Sequence, residues 1–256
     1  MQKFNLRAAI VLGTTLSIGI AANMPAAHAI SLVPNQEGEI KLTNFGCVVN
    51  PSDCIDTSSL GFTVTSLDYG SEYGLPQYGL SRLFVDMNGT ANNWASGISF
   101  AKTDAGTNPS AYQLWLRPVA IKKDSSVPEN GQLEIGRYEF TFDRAYEDLE
   151  LSFLDVETSG FSGILSVNGQ PPTQLLPAKG NNKIQTLKLN NVKSFIVQLG
   201  IAGSQSKIQP GDGVRLAGIA TKPVPEPGTT LSLGVLAFVG LFGLRKRDRA
   251  SKTRTS

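Results

Sequence analysis

Histidine is all but absent: His28 is the only one in 256 residues, and it falls within the first thirty. A chain trimmed behind it keeps no imidazole, which excludes Ser-His-Asp and Cys-His catalysis and histidine-ligated zinc. Cysteine occurs twice, too rarely for a disulfide framework. Charge is sparse and nearly balanced, with 23 Lys and Arg against 21 Asp and Glu. With 41% hydrophobic residues, and long apolar runs only near the two ends, the composition excludes wholesale disorder, a collagen-like repeat and a multi-span membrane protein.

What is present at the ends reads as addressing. Lys3 and Arg7 precede an uncharged stretch from Ala8 to Ala22, and Ala27-His28-Ala29 has the small-x-small pattern that signal peptidase accepts. The apolar core rises only ~22 Å as a helix, short of a ~30 Å bilayer interior. Residues 1–29 are therefore expected to be a signal peptide, cut before Ile30. Near the other end, Pro225-Glu226-Pro227 is followed by an uncharged run from Gly228 to Leu244 and then by Arg245-Lys246-Arg247. Physically this is a stiff breaker, a helix of ~26 Å that barely spans a membrane, and a basic stop that stays cytoplasmic.

Without its ends the chain changes sign. Residues 30–226 hold 15 Lys and Arg against 20 Asp and Glu, a net charge of about −5. Nucleic-acid binding, which relies on dense positive charge, is not expected.

The triplet Pro225-Glu226-Pro227, the glycine-dotted apolar helix and the cluster Arg245, Lys246 and Arg247 resemble the PEP-CTERM sorting signal of bacterial secreted proteins. The resemblance implies recognition by exosortase, a membrane protease-transpeptidase that removes the helix near the Pro-Glu-Pro site. It also implies delivery to the cell surface or an exopolysaccharide matrix after transient membrane insertion. The signal covers 223–249, and 250–256 is expected to be a disordered tail. More thinly, Leu133-Glu134-Ile135-Gly136, with Tyr138-Glu139-Phe140-Thr141-Phe142 and Asp212-Gly213-Val214, is similar to a PEP-CTERM group named for a Leu-Glu-Val-Gly tetrapeptide.

Between the ends, residues 30–222 are expected to form one secreted domain. Short runs rich in β-branched and aromatic residues recur between Gly, Asn, Pro and Asp clusters, the signature of an all-β fold. From Gln132 to Asp143, Tyr138, Phe140 and Phe142 fall on one face and Arg137, Glu139, Thr141 and Asp143 on the other. A second alternating run covers Asp148–Glu157. Further strands are expected at Gly61–Leu67, Arg82–Met87, Ile98–Lys102, Tyr112–Val119, Gly163–Val167, Ile184–Leu189, Ser194–Ile201 and Val214–Ala220. About ten strands fit a jelly-roll-like sandwich of two antiparallel sheets.

Within it, Cys47 and Cys54 should pair in an oxidising compartment, closing a short loop that Asn50-Pro51 can turn. Tyr69, Tyr73 and Tyr78 stand beside glycines in one loop, where their rings could stack on sugars or lie over the edge of the core. Trp115 belongs to the core. Asp143, Glu147 and Asp148, on one connection between strands, are a candidate calcium site, although no calcium-loop spacing supports it and no cofactor is required. The expected function is that of a non-enzymatic surface or matrix protein, structural or polysaccharide-binding. The alternative is a secreted carbohydrate-active enzyme with a carboxylate pair.

Overall fold

The computed structural model describes residues 29–48, 50, 52–69, 78–104, 107–171, 173–201 and 213–224. The expected signal peptide up to His28, Tyr73 and everything from Pro225 onward, including the run expected as an apolar helix and the basic cluster, lie outside the described residues.

Twelve strands follow one another: β1 (Ile30–Ser31), β2 (Gly38–Glu39), β3 (Phe62–Leu67), β4 (Arg82–Met87), β5 (Asn92–Asn93), β6 (Ser99–Phe100), β7 (Leu114–Val119), β8 (Gly136–Leu154), β9 (Gly163–Val167), β10 (Gln174–Leu175), β11 (Ile184–Leu199) and β12 (Arg215–Pro223). Among the described residues no helix is long and apolar enough to cross a membrane. All strand pairings are antiparallel.

The architecture is an all-β sandwich, built differently from two separate sheets. β8 is 19 residues long and β11 is 16, and each serves both layers. The segments expected as Gln132–Asp143 and Asp148–Glu157 are one strand, because Asp143 to Asp148 contains no Gly or Pro to break it. The same holds for Ile184–Leu189 and Ser194–Ile201. One layer contains β3, the first half of β8, the second half of β11, β9 and β10; the other contains the first half of β11, the second half of β8, β12, β7, β4 and β2. The corner is a register shift: Val192 opposes Tyr146 and Ser194 opposes Thr141, so five residues of β8 span two of β11.

The dry faces of both layers join in one core. Phe62, Tyr138, Phe140 and Phe195 from the first meet Leu83, Leu116, Leu151, Phe153 and Leu216 from the second. Phe140 and Phe195 stack with ring centroids 4.9 Å apart, and the Tyr138 hydroxyl donates to the Arg82 carbonyl at 2.6 Å, tying one layer to the other. The change of phase at Leu154 to Val156 also has a cause. β8 ends at Leu154 because Asp155 turns to a φ of 71°, and all three residues are buried.

The wet face of β4 and β7 is covered too. Phe84 and Val119 point away from the main core and pack with Ile98, Phe100 and Ile121 in a separate cluster, beneath the short β5–β6 sheet. This second cover creates an enclosed space where an outer face would otherwise meet water.

Candidate functional site

That enclosed space holds charge. Arg117 of β7, Arg215 of β12 and Asp86 of β4 take the outward phase of their strands, and the covering segments add Asp104, Gln132 and Glu134. Arg117 reaches Asp86 at 2.9 Å through Nη1, Asp104 at 2.7 Å through Nη2 and Glu134 at 2.8 Å through Nε. Arg215 reaches Asp86, Asp104 and Glu134, each at 3.1 Å. Gln132 Oε1 accepts from Arg117 Nη2, and the Arg117 guanidinium lies 4.1 Å from the Phe100 ring centre. Both arginines and Glu134 are no more than 2% exposed.

Three carboxylates surround two guanidiniums, so the cluster carries one negative charge too many if all are ionised. Burial pushes Glu134 up to about 7 against the pull of Arg117 and Arg215, so it holds a proton near neutrality. Asp155, fully buried beside this cluster, is also raised by burial, although the Asn182 backbone N–H and the Thr107 hydroxyl donate to it. Both carboxyls are buried among the described residues. Their consequence is structural, cross-linking β4, β7 and β12 to the two covering segments.

Sequence reading missed this cluster except for Glu134, the acid of the Leu-Glu-Ile-Gly tetrapeptide. Gly213, in the later Asp-Gly-Val, has no room for a side chain, since a Cβ there would fall 2.5 Å from Glu134 Oε2. A signal was available at one of them: Arg117 is the single cation inside the otherwise apolar β7.

The tyrosines expected to meet sugar are core residues where the structure describes them. Tyr69 is fully buried and its hydroxyl donates to the Gly200 carbonyl; Tyr78 is 5% exposed, and both pack with Ala120, Leu133 and Ile135. Neither offers a ring face to a ligand, because the 120–135 segment folds over them. Trp115 is buried, as expected, and Trp94 packs on Phe84 at 5.4 Å. The exposed aromatic is one that sequence reading passed over: Tyr112, 79% exposed.

Asp143, Glu147 and Asp148 lie within the long β8 and not on a connecting loop. Asp148 pairs with Lys222 at 2.8 Å, Asp143 with Arg144 at 3.3 Å, and Glu147 is exposed. Among the described residues, the one trio of acidic or thiol side chains with ligand atoms within 4.8 Å of one another is Glu39, Cys47 and Cys54. The two sulfurs of that trio are bonded to each other as the expected disulfide. Its loop is held by Glu39, which accepts from Val48 N at 2.7 Å and pairs with Arg82 at 2.6 Å; Arg82 in turn donates to the Gly46 carbonyl.

One concave surface is open to solvent. A groove of about 600 Å³ runs over the outer face of β8, β11 and β12, with Asp148, Glu150, Lys188, Asn190 and Thr221 as its polar groups and Ile219, 53% exposed, as an apolar floor. Glu150 and Lys188 pair across it at 3.2 Å. Side chains of both charges, an amide and a hydroxyl therefore converge on one groove.

The described residues thus form an all-β sandwich with an enclosed charge cluster and an open polar groove. Comparison with known proteins adds its address: residues 223–247 match the PEP-CTERM protein-sorting motif. The chain is thus an exported, cell-surface-associated protein sorted by exosortase. No curated protein and no solved structure matches the chain.

Proposed function

We propose that the protein is a non-enzymatic component of the cell surface or extracellular matrix that binds exopolysaccharide along the outer groove. Signal peptidase cuts after Ala29, the C-terminal helix inserts transiently, and exosortase releases the sandwich outside. The groove carries this reading: it is open, and its carboxylates, amide, ammonium and hydroxyl can donate and accept in the dense pattern that sugar hydroxyls require. Tyr112 supports it, an exposed ring two residues before Leu114, which lines the groove.

A carbohydrate-active enzyme is the second reading, favoured by Asp148 and Glu150, which share one face of β8 about 7 Å apart along the strand and both line the groove. Each is already neutralised by a lysine. A glycan array and a reducing-sugar assay on the exported protein separate the two. Binding without sugar release is expected, and Asn190→Ala and Tyr112→Ala should weaken it about tenfold without lowering the melting temperature. Released sugar would establish the enzyme; an array without a single bound glycan would remove the binding role.

A further inference from the structure

The first half of β11 is an open sheet edge. Ile184 to Asn190 pair with β8 on one side, residue for residue from Leu154 to Asp148. On the other side β9 covers only Phe195 to Gln198, and the Asn168 side chain, bonded to the Asn191 carbonyl and the Lys193 and Ser194 N–H groups, closes that cover. Among the described residues no strand pairs with the outer side of 184–190. Such an edge is a template for another strand unless it is blunted. Here it is regular, with its register shift lying beyond Val192, it contains no proline, and its one charge is Lys188.

The side chains alternate strictly. Gln185, Leu187 and Leu189 point inward, while Ile184, Thr186, Lys188 and Asn190 are exposed. Leu187 and Leu189, 8% and 7% exposed, belong to the main core. We propose that this edge pairs with the same edge of a second copy, antiparallel about Leu187, making one sheet continuous across a twofold dimer.

The register follows from three conditions. Inward residues must meet inward residues, which excludes every odd shift. Centring on Lys188 would oppose two like charges, which excludes that register. Centring on Leu187 pairs all seven residues, one more choice along the strand pairs fewer, and Leu187 then meets its own copy over the joined core. In this arrangement Lys188 faces Thr186 of the second copy and keeps Glu150 beside it at 3.2 Å. The edge shares Lys188 and Asn190 with the groove, but pairing uses its backbone groups, so the proposal does not depend on the polysaccharide reading.

Sedimentation velocity on the exported protein tests it with substitutions of opposite sign. Thr186→Lys sets a cation against Lys188 of the second copy twice over and should weaken the dimer about tenfold, whereas Thr186→Glu should tighten it by a similar factor. Both changes lie on the exposed face, so the melting temperature of dilute protein should stay put. Amide exchange of wild-type protein gives a second readout, with protection of 184–190 rising with concentration. A wild-type protein that stays monomeric at every concentration, or a dimer that both variants shift in the same direction or not at all, overturns the proposal. So does edge protection that appears only when matrix material is added, which would place a different chain there.

Discussion

Glu134 shows how one residue can make stability depend on pH. Its carboxyl, raised from 4.5 to about 7 by burial, stays protonated in the folded protein where the unfolded chain would already have ionised. The stability this confers is complete below about pH 4.5 and is lost as pH rises through 7, a change on the order of 3 kcal/mol. Asp155 is shifted in the same direction and adds to the slope. Chemical denaturation of the exported protein between pH 5 and pH 8 should therefore show declining stability, and Glu134→Gln should flatten most of that decline. An unchanged slope in the variant would mean that the proton sits elsewhere in the cluster. The neighbours explain why a residue in this position tolerates such confinement: Arg117 and Arg215 donate to the carboxylate when it is ionised, and Asp104 accepts from its hydroxyl when it is protonated.

At the level of elements, the sandwich depends on a few close approaches that propensity does not reveal. Gly163 opens β9 with a φ of 142°, and a Cβ there would overlap the Gln174 carbonyl of β10. Gly163→Ala should part β10 from β9 and lower stability by about 2 kcal/mol, measured by urea denaturation. The same substitution at Gly169, where a Cβ meets nothing within 4 Å, should cost less; there only the φ of 73° opposes it. Strand positions were largely legible, with Arg82–Met87 and Gly163–Val167 matching to the residue. Their β-branched and aromatic composition is local and needs no partner to be seen. Strand continuity was less legible, because a turn-like run such as Asp143 to Asp148 becomes strand only when β3, β11 and β12 pair along it. Of the five two-residue strands, β6 lies within the expected Ile98–Lys102, while β1, β2, β5 and β10 carry too few residues to show any period.

For the molecule as a whole, the match at 223–247 joins a fold to a route out of the cell. Replacing Pro225, Glu226 and Pro227 by alanine should leave the protein membrane-associated with its tail attached. The intact mass of protein collected outside the cell reports this directly: wild type should end near the Pro-Glu-Pro site and begin at Ile30. A variant trimmed and released like wild type would separate export from this triplet. β12 runs through Pro223, paired with Tyr146, so the sheet overlaps the matched motif by one residue and stops short of Pro225-Glu226-Pro227, where cutting would spare it.

By itself the sequence determined the sorting motif near the C-terminus, the all-β character and the Cys47–Cys54 pair. Each of these resides in a contiguous stretch whose composition or spacing is already a physical instruction. Only the tertiary structure decided that Tyr69 and Tyr78 are core, that Arg117, Arg215, Asp86, Asp104 and Glu134 share one enclosed space, and that the open groove lies over β8, β11 and β12. Whether a side chain is buried, paired or free depends on what covers it. Here the cover comes from segments tens of residues away, so no local pattern could announce it.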